Sequence, residues 1–268
     1  MNQENNGMDQ PFANIPDTQA SIDLRRIPID QVGIKRVRLP VRVAGNDQGC
    51  QDTVAEFSLS VSLPGDRKGT HMSRFLEVLH EWRQPFAQRG FRELLQTLQT
   101  RLDAESVYVE MRFPYFLRKQ APVTGVESLL DCEAGFAGRL QGKAFVFTLS
   151  LDLAFKRLVE NGAERGALNQ RSRARVQVDL AAMMSIEDLA ESVEAEASCE
   201  LYALLKRADE KYVTERAYAR PRSVEEMARG IATRLERDAR VRRYALEIES
   251  FDSSQRLQHL AGLQRQKG

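Results

Sequence analysis

Between Thr53 and Leu63 the side chains alternate strictly: Phe57, Leu59, Val61 and Leu63 face one way, Glu56, Ser58, Ser60 and Ser62 the other. A two-residue period fits only an extended strand with one apolar and one wet face. The same pattern returns in Val107, Val109, Met111 and Phe113, and again in Phe145, Phe147, Leu149, Leu151 and Leu153. Val32–Val43, Leu129–Leu140, Val176–Leu180 and Tyr244–Ile248 read as further strands. A chain with this much half-apolar sheet must find something to cover it.

Helices supply the cover. Met72, Phe75, Leu76, Leu79 and Trp82 recur at helical spacing, as do Phe91, Leu94, Leu95, Leu98 and Leu102. Ile186, Leu189, Val193, Ala197, Leu201 and Leu204 predict one long helix, and Val224, Met227, Ile231 and Leu235 another. Ser223 and Glu226 stand at capping-box spacing before the last. Each half then reads strand, strand, helix, helix, strand. The expected class is α+β, antiparallel sheets covered by helices on one face. Residues 1–20 carry no period and are expected to be disordered; 21–140 and 141–268 are expected to be two modules of one compact unit. Sheet edges need pairing, which predicts a homo-oligomer.

Charge and cysteine content exclude several classes. The formal net charge is +1, which argues against a nucleic-acid partner. No apolar run is long enough for a membrane span, and residues 1–10 lack signal-peptide character, so a cytoplasmic location is expected. Cys50, Cys132 and Cys199 are widely spaced and read as reduced thiols, the last two buried.

Several long words of the sequence belong together. They include Pro16-Asp17-Thr18-Gln19, Lys68-Gly69-Thr70-His71-Met72-Ser73-Arg74-Phe75 and Phe113-Pro114-Tyr115-Phe116. Others are Asn169-Gln170-Arg171-Ser172, Ala197-Ser198-Cys199-Glu200-Leu201 and Asp209-Glu210-Lys211-Tyr212-Val213-Thr214-Glu215. In this order they resemble the GTP cyclohydrolase IB family over nearly the whole chain. The resemblance implies a tunnelling fold, in which sheets of several subunits join into a β-barrel, and a homotetramer with sites at subunit interfaces. It implies conversion of GTP and water to 7,8-dihydroneopterin triphosphate and formate, with a zinc- or manganese-type ion activating the water.

The resemblance also points to site residues. Glu225 matches the glutamate that anchors the pterin, a role open to a carboxylate because it accepts two hydrogen bonds from a guanine edge; it also reads as an ordinary acid at a helix start. Lys68, His71 and Arg74 stand where triphosphate contacts would lie, or form a plain first turn; His71 and Arg171 also read as interface residues. The family's first metal-ligating Cys falls at Lys156, or at Asp152 if a gap is allowed, and its ligating His falls at Leu168. Glu210 alone remains of the ligand set, and Lys156 could place a fixed positive charge beside it. No bound metal is therefore expected. Two functions follow: the family's GTP cyclohydrolase activity, or a non-catalytic paralogue that binds a purine or pterin or assembles with an active subunit.

Overall fold

Alternation fixes one continuous sheet. The computed structural model describes residues 21–46, 49–159, 168–251 and 258–267, with only the backbone of 159 and 168–171. Eight strands run β1 (Ile29–Ala44), β2 (Cys50–Leu63), β3 (Ser106–Gln120), β4 (Glu127–Gln141), β5 (Ala144–Val159), β6 (Leu168–Leu180), β7 (Val241–Phe251) and β8 (Gln258–Gln266). They pair in sequence order, and every pair is antiparallel. The helices are α1 (Met72–Glu81), α2 (Gln88–Leu102), α3 (Ile186–Glu194), α4 (Arg207–Ala219) and α5 (Val224–Arg237).

The expected repeat is present in element order: two strands, helices, two strands, twice over. The separate sheets expected of two modules are not. β4 turns through Gly142, at φ 54°, straight into β5, and the ladder continues from Gln141↔Ala144 to Glu133↔Asp152. The left-handed backbone suits a residue without a Cβ.

The core lies between the sheet and its helices. Phe57, Leu59, Val61, Val107, Val109, Met111 and Phe113 are buried on the helix side. Phe91 of α2 meets Phe136 and Phe147 edge-on, with centroids 6.1 and 5.5 Å away. Gly138 lies beneath it, where an added Cβ would come within 2.8 Å of the Phe91 ring. The opposite face is mostly polar, with Val54, Phe116, Leu129 and Val146 exposed among its charged and polar side chains.

Three elements differ from the sequence reading. The helix expected over Ile186–Leu204 stops at Glu194, because the backbone of Cys199 forms an antiparallel bridge with Lys156 of β5. The apolar period beyond Val193 is therefore a packing pattern of extended chain. α4 is a helix that the apolar spacing did not predict; it buries only Asp209, Val213 and Ala217, too little for a stripe. β8 is exposed except where Ala261 and Leu263 pack on the core, so it shows no alternation. The expectation for residues 1–20 lies outside the described residues. No described helix is long and apolar enough to cross a membrane.

The fold predicts one clear packing cost. Phe91 has no exposed surface, so Phe91→Ala should destabilise the chain by about 3–5 kcal/mol in denaturant unfolding; a smaller loss would mean that the aromatic cluster repacks.

Candidate functional site

The second half gathers its polar groups where β5 runs past its partner β4. Beyond Asp152, the side of β5 that β4 had occupied is taken by the segment at Cys199, with Lys156 N to Cys199 O at 3.1 Å and the return bond at 3.3 Å. The Leu158 N–H donates to Ser198 Oγ, and the Arg222 N–H to the Leu158 carbonyl. Strand end, extended segment and the loop before α5 are thus laced together.

The alternation of β5 sorts its charges. Asp152 and Lys156 lie on the open face, half-buried, while Leu153, Phe155 and Arg157 turn to the helical side. Arg157 is only 4% exposed. Its guanidinium donates to Ser250 Oγ at 3.1 and 2.8 Å and to the Arg222 carbonyl at 3.4 Å, and Ser172 Oγ lies 2.8 Å from Ser250 Oγ. No periodicity could flag this arginine, because it occupies an apolar-face position.

Glu225 stands exposed in the first turn of α5, behind the capping box that Ser223 and Glu226 form as expected. Its carboxyl is held below the usual range, first by its own backbone N–H and the Ser223 hydroxyl, then by the charges of Arg157 and His259. It is therefore an acceptor at neutral pH, ready for a pair of N–H donors.

The other predicted residues are scattered. Lys68, His71 and Arg74 lie between the end of β2 and the first turn of α1, which packs on β1, whereas Glu225 starts α5, which packs on β7 and β8. From β2 to β7 is five strand spacings, on the order of 24 Å along the sheet. Arg74 donates to the Arg101 carbonyl in the last turn of α2, so it caps that helix. Lys68 is exposed, and its charge adds slightly to the Arg25 hydrogen bonds that lower the Asp23 carboxyl. The backbone of Arg171 pairs with Lys156, and that of Leu168 with Val159.

The residues at the expected metal positions have other engagements. Asp152 accepts from Arg173 Nε and, at 3.2 Å, from Arg175 Nε. Glu210 is exposed on α4, and among the described residues no ion pair joins it to Lys156. No three His, Cys, Asp or Glu converge among the described residues. Cys199 is buried as expected, its thiol pushed up by burial and by Glu200.

Asp209 clamps this region to the first half. It is fully buried. Its carboxylate accepts the Val123 and Thr124 N–H groups, each at 2.9 Å, the Thr124 hydroxyl at 2.6 Å and the Lys206 N–H at 3.0 Å. Burial alone would raise its pKa; the bonds from Thr124, Lys206 and Val123 outweigh burial and hold it far below the usual range.

A family model described as type I GTP cyclohydrolase folE2 matches residues 15–255. The GTP cyclohydrolase FolE2 of Nitrosococcus oceani is 46% identical over 256 residues, spanning 94% of this chain and 96% of its own. That of Azoarcus sp. is 44% identical, spanning 97% and 98%. Among solved structures, the urate oxidase of Bacillus sp. TB-90 superposes with a TM-score of 0.55 at 8% identity, over 89% of this chain and all of that one. The uricase of Arthrobacter globiformis gives 0.54 at 9%, over 89% and 93%. At such identity the likeness concerns the fold.

The Asp209 clamp carries a pH prediction. A depressed carboxyl stabilises the fold above its unfolded pKa of about 3.9 and loses that contribution as pH falls. Asp209→Asn should lower Tm at pH 7 and flatten its decline below about pH 4. An unchanged Tm would remove the clamp.

Proposed function

The chain belongs to the type I GTP cyclohydrolase folE2 family, and from that membership we propose that it binds GTP, with conversion of GTP and water to 7,8-dihydroneopterin triphosphate and formate as its activity. The label GTP cyclohydrolase IB, the tunnelling-fold barrel, the two modules (21–140 and 141–268), the homotetramer and the cytoplasmic location belong to the same proposal. The observation that carries it is Glu225, an ionised, exposed carboxylate at the first turn of α5 with Arg157 behind it. Such a group can accept two hydrogen bonds from the N1–H and amino group of a guanine base.

An oligomer would complete the site. Lys68 and His71 lie far from Glu225 within one chain, and β1 and β8 are the two edges of the sheet. A neighbouring copy joined at an edge would bring one chain's first half to the other's second half.

A second reading rests on a specific observation. The positions expected from the resemblance to hold metal ligands are Lys156 or Asp152, Leu168 and Glu210; Asp152 is tied up by two arginines and Glu210 faces solvent. This set does not fit a zinc- or manganese-type ion, which needs several convergent ligands. A general base acting alone typically contributes only about 10²–10⁴-fold. In this reading the chain is a paralogue that holds a purine or pterin without opening its ring, or a subunit of a mixed assembly.

Two measurements separate these readings. Purified protein with GTP and manganese should yield neopterin fluorescence after oxidation if the ring is opened; none, with GTP still bound in calorimetry, selects the second. Under both readings Glu225→Gln should weaken GTP binding by about 1.5–3 kcal/mol, roughly 10- to 150-fold in Kd. Undiminished affinity would take Glu225 out of the site.

A further inference from the structure

Three arginines converge on one carboxylate where α3, α4 and α5 meet. Glu196 follows α3; Arg220 ends α4, Arg222 precedes the cap of α5, and Arg234 lies on α5. Arg234 Nε holds Glu196 Oε1 at 2.6 Å. Arg220 Nη2 and Arg222 Nη2 approach Oε2 only to 3.6 and 3.8 Å, beyond hydrogen-bonding reach. Their side chains are 31% and 29% exposed, and Glu196 is 13% exposed. Three guanidiniums against one carboxylate leave two positive charges without local compensation among the described residues.

The donors are as unbalanced as the charge. Among the described residues neither the Arg220 nor the Arg222 guanidinium has a hydrogen-bond acceptor, and Arg222 Nε is buried with no partner. A buried N–H without an acceptor is costly, and a guanidinium offers five. The pKa of Arg220 is pushed down by burial and by the charges of Arg222, Arg216 and Arg234, the sign of crowded cations. A structure keeps such an arrangement more cheaply when an anion completes it.

We propose that Arg220 and Arg222, with Arg234 behind them, form an oxyanion site that takes a polyphosphate group. Two uncompensated charges match a dianion, and two planar forks match an oxygen-rich, multiply charged chain better than a single carboxylate. The site is separate from the positions Lys68, His71 and Arg74 and does not rest on Glu225. Its ligand is either the triphosphate of a nucleotide or a free polyphosphate.

The test is calorimetry of the full chain with inorganic tripolyphosphate. Saturable binding that weakens with added salt is expected. The double variant Arg220→Met, Arg222→Met should weaken it at least tenfold. Glu196→Gln removes the competing carboxylate and should strengthen it, which keeps the test decisive if the double variant fails to fold. Absence of binding, or affinity that neither variant moves in the stated direction, overturns the site. Titrating GTP onto tripolyphosphate-loaded protein tells the sources apart: displacement means that the nucleotide's own phosphates occupy the arginines, and simultaneous binding means a distinct phosphate ligand. Glu225→Gln should not weaken tripolyphosphate binding, so the two proposals fail separately.

Discussion

The whole architecture depends on one sheet with two unlike faces. Alternation along eight antiparallel strands puts Phe57, Val109, Phe147 and Ile248 on one side, and Glu110, Arg112, Asp152 and Arg175 on the other. Only the first face must leave water, and five helices packed on it do that. The second face satisfies its charges within itself: Arg175 pairs with Glu247 at 2.6 Å and Glu249 at 3.1 Å, besides Asp152. Exposed pairs of this kind add little stability; they let a long sheet stay wet on one side without burying a bare charge.

Chemistry concentrates where that regular pattern fails. β5 outlasts β4, so its last residues need a substitute partner, and the segment at Cys199 supplies it. The substitute comes from a stretch that would otherwise extend α3, and freeing it leaves Glu196 at the junction with α5. The apolar layer also ends here: the position after Phe155 on the helix side is Arg157, and the facing residues are Ser172 and Ser250. An arginine there costs burial energy, offset by hydroxyl and carbonyl acceptors. Its charge adds to the backbone N–H and the Ser223 hydroxyl, which do most to hold the Glu225 carboxyl low.

Most of the fold was legible in the sequence because most of it obeys a single period. β2, β3 and β5, α1, α2 and α5 each present an unbroken apolar face, and the Ser223–Glu226 box marks where α5 begins. What escaped has a physical reason in each case. α4 buries two aliphatic residues and one aspartate, so a periodicity search sees nothing. β8 is an edge strand with little to bury. The apparent continuation of α3 through Leu204 was overridden by two backbone hydrogen bonds to Lys156. Within the candidate site, the place of Glu225 in the first turn of a helix was legible from the capping box beside it. Arg157, Ser250 and the arginines around Glu196 were not, because long-range pairing that no local pattern encodes brings them together.

The α4–α5 loop then explains why recognition and charge lie so close in sequence. Arg220 and Arg222 flank Pro221, and the loop is fixed at both ends: the Arg222 N–H bonds β5, its carbonyl accepts from Arg157, and Ser223 starts the next helix. Asp209 anchors the start of α4 to the β3–β4 turn, so the helix that delivers Arg220 cannot drift. Few rotatable bonds remain between the carboxylate that would read a base and the guanidiniums that would hold an anion. Preorganisation of this kind lowers the entropy lost on binding. The positive charge here comes from arginines, which no change of pH in the physiological range removes. A polyanion can therefore be held here by fixed side-chain charge, with no requirement that an ion be recruited first.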